Sequence, residues 1–423
     1  MSKKTVHPVS VACATLIMVT GCGSGGADGD DDVALRFAWW GSDLRHQNTQ
    51  EIIELFEEQN PNITVDAEYG DWDGYWDQLA TQSAGGNAPD IIQMDELYLR
   101  EYADRGSLLE LSDVDVTEFD EAAVDTGRTE DGLYAISLGV VAGATPANPE
   151  LFNEVGVDLP DDSTWTWEEF AELSAEIETA LDDAYGAGLG GGDLLLPAWK
   201  HQQGEQLFSE EGDLQLSVAD AEQYLEFTMD FEESSNAPSA DVLEEQAGLG
   251  PEEGFLATNQ AALGSGTWAT QIAATSEASG TDLELLHMPS FTGDMDDNGE
   301  WIKGSMFLSV DSDTDHPEEA KEFIDFFVNS QEANEINGME RGLPANLEVR
   351  EAVLEDASAP ERKAAEFVTS VEDGNPLDAP VPPPGAGEFD DIVNRYISEV
   401  RFDRMSIEEA AEGMAHELEE AVN

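Results

Sequence analysis

Between Gly70 and Leu111 the chain sets aromatic rings close to carboxylates, a combination able to hold a polyhydroxylated molecule. Trp72, Tyr75 and Trp76 open an amphipathic segment, a Gly85-Gly86 break follows, and Ala88-Pro89-Asp90 leads into the apolar pair Ile91-Ile92, with Asp95 just beyond. The C–H faces of a sugar ring stack on indole or phenol, while its hydroxyls need acceptors and donors at fixed angles. The stacking candidates are Trp40, Trp72, Trp199, Trp268 and Trp301, and the acceptor candidates are Asp43, Asp71 and Asp95. Each has a plainer alternative, since large aromatics are commonly core and a carboxylate in so acidic a chain is commonly solvated. Arg45, Lys200, Lys303 and Arg341 stand beside these candidates. They either donate to ligand hydroxyls or neutralise neighbouring acids.

Bond-making chemistry has less to rest on. Carboxylate pairs could serve a glycosidase, but with 93 Asp and Glu such pairs arise by chance. The six His form no HExxH motif or ligand cluster, and no Gly-x-Ser-x-Gly elbow stands out. Asp294-Met-Asp-Asp-Asn-Gly299 begins like a calcium loop, yet Ser305 occupies the place of the closing Glu, so the stretch reads as an acidic turn. Gly186 to Gly192 holds five glycines without the lysine of a phosphate loop. No metal, no cofactor and no enzymatic activity are expected. The sequon Asn62-Ile-Thr64 permits surface glycosylation but overlaps a predicted strand start.

The positioning elements must come from a chain of 423 residues, long enough for two domains. Lys and Arg number 17 against 93 acids, a formal charge of −76, while 40% of residues are apolar. That apolar share argues against a disordered acidic chain. Molar salt would shorten the Debye length to roughly 3 Å and mute the self-repulsion, so the composition reads as that of a halophile's protein. Nucleic acid and anionic membrane surfaces are excluded as partners by the same electrostatics.

Residues 1–22 read as an export signal: Lys3 and Lys4, an apolar run from Val9 to Val19, then Val-Thr-Gly-Cys ending at Cys22. The run is shorter than the ~20 residues of a spanning helix. Small residues before a Cys resemble a lipobox, which predicts lipidation at Cys22 and attachment to the outer face of the cell membrane through lipid alone. Residues 23–32, rich in Gly and Asp, would be a flexible tether. No disulfide framework is expected, because Cys13 would be removed with the signal.

Apolar residues at 33, 35, 37 and 39 predict a strand; Ile52, Ile53 and Phe56 mark a helix over Asn48 to Asn60. A strand over Asn62 to Tyr69, a helix over Trp72 to Ala84 and a strand over Pro89 to Met94 complete a doubly wound α/β pattern. Thr166 with Glu169, and Ser406 with Glu409, are capping boxes that should start helices. Pro317 should start another.

Several stretches carry a family resemblance: Trp39-Trp40-Gly41, Phe56 to Val65, Gly85 to Asp90, Glu101 to Gly106, Trp165 to Phe170, Ala262 to Trp268 and Gly342 to Asn346. In this order, behind a lipobox, the chain resembles the extracellular solute-binding proteins of sugar ABC importers, the maltose-binding-like group. The resemblance implies a two-lobed α/β fold with a multi-crossing hinge. Lobe 1 would comprise 33–140 and 286–330, and lobe 2 would comprise 141–285 and 331–423. It also implies a monomer that closes on a sugar or oligosaccharide and presents it to an ABC permease. Trp40, Asp43, Arg45, Trp72, Asp95, Trp199, Trp268, Trp301, Lys303 and Arg341 are the expected ligand contacts. The alternatives left open are a lipid-tethered polysaccharide-degrading enzyme, a surface-layer protein, or the same fold carrying a polyol or glycerol phosphodiester.

Overall fold

The computed structural model describes residues 32–129, 132–181, 184–189, 194–209, 211–247, 249–250, 252–374 and 379–422, except for the side chain of Asp73. The expected export signal with Cys22, residues 23–31 of the expected tether and Gly190–Gly192 lie outside the described residues.

Among the described residues, ten strands follow in chain order: β1 (Val33–Trp40), β2 (Ile63–Gly70), β3 (Ile91–Met94), β4 (Arg128–Thr129), β5 (Gly132–Leu133), β6 (Ile136–Ala147), β7 (Thr267–Trp268), β8 (Glu284–Leu286), β9 (Ile302–Val310) and β10 (Leu343–Pro344). The main sheet runs β10-β6-β9-β3-β1-β2, with β7 and β8 also paired to β6. β1 is parallel to β2 and β3. Helices Asp43–Gln59 and Trp72–Ala84 make the two crossovers, as the alternating periodicities predict. β9 enters antiparallel between β3 and β6.

Both faces of β1 are covered. Val33, Leu35, Phe37 and Trp39 join a core with Ile52, Phe56, Phe323 and Phe327, whereas Ala38 and Trp40 join a second cluster with Tyr75, Trp76 and Leu79. Each strand end then feeds a helix through a polar cap. Ser42, Asp71 and Asp95 accept from the backbone N–H of Arg45, Gly74 and Leu97 respectively. The Ser42 cap explains why the first helix starts at Asp43, five residues before the expected Asn48.

All 12 residues of β6 are buried. Its first half pairs with β9 and β10, and its second half with β7 and β8. At Gly139 a Cβ would sit 2.7 Å from the Arg341 carbonyl oxygen, so only glycine lets β10 approach. Beyond β6 the packing is mostly helical. Helices Leu195–His201, Val218–Ser234, Phe389–Arg401 and Ile407–Ala421 share a core around Leu196, Tyr224, Val393 and Met414. The expected capping boxes form at Thr166 and Ser406. Helix Gln331–Asn337 packs on Asp43–Gln59, and Val349, Ala364 and Val368 belong to the same core as β1.

His287 ties four segments together. Its Nδ1 lies 2.8 Å from Glu300 Oε2, and its backbone N–H donates to Asp162 Oδ2 at 2.9 Å. Its Nε2 lies 3.3 Å from Ser370 Oγ, while Ser370 spends its proton on the Phe367 carbonyl at 2.6 Å. Ser370 therefore accepts, and both ring nitrogens are positioned to donate. Burial opposes the charge, but the Glu300 and Asp162 carboxylates outweigh it and raise the imidazole above its ordinary range. A raised folded value contributes stability that is complete below the unfolded value of about 6.5 and fades as pH climbs through the folded one. The melting temperature of the parent protein should therefore exceed that of His287→Gln by a margin that shrinks between pH 6 and pH 8.5. A margin independent of pH in scanning calorimetry would rule this out.

Candidate functional site

A cavity of about 640 Å³ opens between the sheet and the helical region. One wall is Glu96 and Leu97, at the start of helix Glu96–Asp104, with Asp120 to Ala123, Asp125 and Thr126. The opposite wall is Pro197, His201, Gln206 to Phe208 and, from the chain's last third, Ala379 to Pro382, Ala386, Phe389 and Asp390. Val140, Trp301 and Ile302 lie between, placed there by β6 and the start of β9. The volume falls within the roughly 300–1,000 Å³ of small-molecule sites, and the walls mix apolar surface with a few polar groups as such sites do.

Four of the sequence candidates come together here. Trp301 lines the cavity, its ring edge-on to His201 at 5.2 Å and to Trp268 at 5.9 Å. Lys303 Nζ lies 5.2 Å over the Trp268 ring and 3.5 Å from both Asp95 Oδ2 and Glu96 Oε1. The cation thus bridges the carboxylates at the C-terminal end of β3 to the indole pair. His201, buried, donates from Nδ1 to the Gly299 carbonyl at 3.1 Å; burial pushes its imidazole below the ordinary range, with Gly299 and Gln206 pulling the other way.

The remaining candidates sit elsewhere. Trp40 and Trp72 belong to an aromatic cluster, Trp40 to Trp72 at 5.0 Å, in which Tyr98 stacks on Trp76 at 3.7 Å; Trp72 is 37% exposed at its edge. Asp43 is exposed in the first turn of its helix. Arg45 reaches Glu340 Oε1 at 3.1 Å and the Trp40 carbonyl at 3.3 Å. Trp199 is packed against Tyr224 at 5.6 Å in the helical core. Lys200, fully buried, pairs with Glu205 and lies 3.6 Å from Asp220. Arg341 is fully buried, with Nε on Gln93 Oε1 at 2.9 Å, one terminal nitrogen on Asn337 Oδ1 at 2.9 Å and the other on Thr49 Oγ1 at 2.8 Å. All three of those acceptors are internal, so this guanidinium is turned away from the cavity.

Sequence reasoning did not single out Leu97, His201, Gln206, Phe208 or Phe389. The stretch Val381 to Gly385 reads in the sequence as a rigid surface loop, yet Pro380, Val381 and Pro382 form cavity wall. Its proline content was a usable signal, since a stiff segment makes a preformed wall. The acidic turn at Asp294 closes on itself, with the Asp294 carboxylate accepting from the Asp296 N–H, and no group of three potential metal ligands occurs among the described residues.

The two walls also touch directly. A Cβ at Gly387, in the turn Ala386–Glu388, would lie 2.6 Å from Cζ of Tyr98. Tyr98 stands one residue after Leu97 and Gly387 one after Ala386, so this contact lies beside the cavity lining on both walls.

Residues 43–334 match the family described as bacterial extracellular solute-binding protein. The chain belongs to that family. Solved structures with the same two-lobed fold include an oligogalacturonide binding protein from Yersinia enterocolitica in complex with digalacturonic acid, 24% identical, TM-score 0.81, covering 92% of this chain and 100% of that one. Another is a substrate-binding protein from Listeria monocytogenes in complex with cycloalternan, 21% identical, TM-score 0.78, covering 92% of this chain and 99% of that one. Among curated sequences, a lipoprotein of Streptomyces antibioticus is 26% identical over 40% of this chain and 39% of its own length. A putative ABC transporter periplasmic-binding protein of Escherichia coli is 22% identical over 57% of each chain. The match therefore spans between about two fifths and three fifths of these curated relatives.

Proposed function

We propose that this solute-binding protein captures a sugar or oligosaccharide in the cavity between its walls and delivers it to an ABC import permease. The observation that carries the reading is the cavity itself: walls from two packing regions, joined through β6, with the Trp301 indole set between them. Such a site binds on one wall and is completed by closure of the other. Relatives that bear sugar ligands in their structures, and one described as part of an ABC transporter, support the same direction. The protein would act as a monomer without making or breaking bonds. We place it outside the cytoplasm, held to the membrane by lipid on Cys22, a position shared in kind with the Streptomyces lipoprotein.

For the lobes we propose 33–140 and 286–330, extended by residues 331 to about 371, as the first, and 141–285 with the chain after about 371 as the second, where the sequence alone suggests all of 331–423 for the second. The packing of Gln331–Asn337 on Asp43–Gln59 supports counting residues up to about 371 with the first lobe.

A melting-temperature screen against a carbohydrate panel tests the reading, because ligand at a hundred times its Kd stabilises by ~2.7 kcal/mol. Trp301→Ala should then weaken the best ligand by about 2 kcal/mol, as expected for a central aromatic anchor. Equal affinity of the two proteins in calorimetry would remove Trp301 from the site. The charge of −76 supports, as part of the same reading, a protein adapted to molar salt. Dialysis to millimolar salt should lower its melting temperature steeply, and an unchanged melting curve would sink that adaptation.

A further inference from the structure

We propose that the cavity selects its ligand by charge, accepting neutral or amino-substituted saccharides and rejecting acidic ones. The proposal rests on the saccharide reading above and names the ligand class within it.

Recognition of a carboxylate or phosphate needs charge-assisted donors, above all Arg. Among the described residues, no Lys or Arg lines the cavity. The cations nearby are already committed to carboxylates: Lys303 to Asp95 and Glu96, Arg128 to Asp125 at 3.0 Å, and Arg350 to Glu372 at 3.1 Å. An anionic ligand would have to break one of these pairs to gain a counter-charge. Side-chain donors in the wall are few: the Thr126 hydroxyl already donates to the Ala123 carbonyl at 2.7 Å and His201 Nδ1 to the Gly299 carbonyl at 3.1 Å, which leaves mainly the Gln206 amide and the indole N–H of Trp301 to face a ligand. His201 is held towards its neutral form by burial.

Acceptors, by contrast, come from both walls. Asp120, Glu121 and Asp125 stand on one side and Asp390 on the other, with Glu372 added from helix Ala359–Asp373, which packs on the β1 core. Glu121 and Asp125 are exposed and Asp120 half-buried, which places negative charge at the entrance as well. Hydroxyls and ammonium groups donate to such oxygens, whereas a uronate brought between two acidic walls meets like charge from each, and like-charge juxtaposition is costly. Since a similarly folded protein holds digalacturonic acid, the fold does not forbid acidic sugars. The wall residues of this chain do.

The test compares matched disaccharides of one linkage in neutral, 2-amino and uronic forms, each over several linkages, by isothermal calorimetry on the purified chain at constant ionic strength. The expected order is amino at least equal to neutral, with the uronic form at least tenfold weaker. The Asp120→Asn, Glu121→Gln variant keeps a capping residue at 120 and should narrow the ratio between neutral and uronic affinities at least threefold. Uronic binding equal to or tighter than neutral binding overturns charge selection and leaves saccharide capture standing. Failure of every form, in every linkage, overturns both.

Discussion

Arg341→Ala is expected to cost the fold about 3–5 kcal/mol, the range for breaking a buried charged network. Truncation would leave Gln93 Oε1, Asn337 Oδ1 and Thr49 Oγ1 without their donor, each worth roughly 1–3 kcal/mol when buried. It would also open a void beside Phe327, over whose ring the guanidinium sits at 5.3 Å. Relief of the charge acts in the other direction: burial, and then the neighbouring Arg45, depress the pKa of Arg341, with Glu340 opposing. Three orphaned acceptors and a void outweigh that relief. Arg341→Lys should recover little, because one ammonium cannot span acceptors on helix Asp43–Gln59, β3 and helix Gln331–Asn337 at once. Denaturant titration in high salt measures the loss; a change below 1 kcal/mol would mean the network is not a structural pin.

The second large effect is expected at Gly387. Its added Cβ would meet Cζ and Cε1 of Tyr98 at 2.6 and 2.7 Å, closer than side chains pack. Tyr98 cannot easily swing aside, since it is stacked on Trp76 with only 19° between the planes. Gly387→Val should therefore prise the walls apart, raise the radius of gyration in solution scattering and weaken ligand binding at least tenfold, or about 1.4 kcal/mol. Tyr98→Ala in the same protein should restore much of the loss, because the clash needs both partners. Absence of coupling in that double-mutant cycle would show that the contact does not govern closure.

The sequence revealed elements whose signals are local. The alternation in Val33–Trp40, the stripe of Pro317–Asn329 and the capping boxes at Thr166 and Ser406 each depend on residues within a turn or two, and each forms as read. The site was less legible, because a side chain's neighbours in the fold are not its neighbours in the chain. Trp199 and Trp301 look alike in sequence; one is packed against Tyr224 in a helical core and the other borders the cavity. Lys303 and Arg341 likewise both stand near candidate aromatics, yet Lys303 reaches Asp95 and Glu96 beside the cavity whereas Arg341 is held by internal acceptors. Leu97, Phe208 and Phe389 carried no signal beyond hydrophobicity, and they matter because contacts across more than a hundred residues bring them to one cavity.

The shared burial of β6 bears on how this molecule could have been assembled or taken apart. Because one strand completes the sheet edge for β9 and β10 and then supplies the pairing partner of β7 and β8, neither region is a self-sufficient module. A cut between Val141 and Gly143 would leave each fragment with an unpaired strand edge, a template for aggregation. Swapping one region for that of a relative would have to carry this strand intact, so recombination between family members is confined to the loops on either side of it.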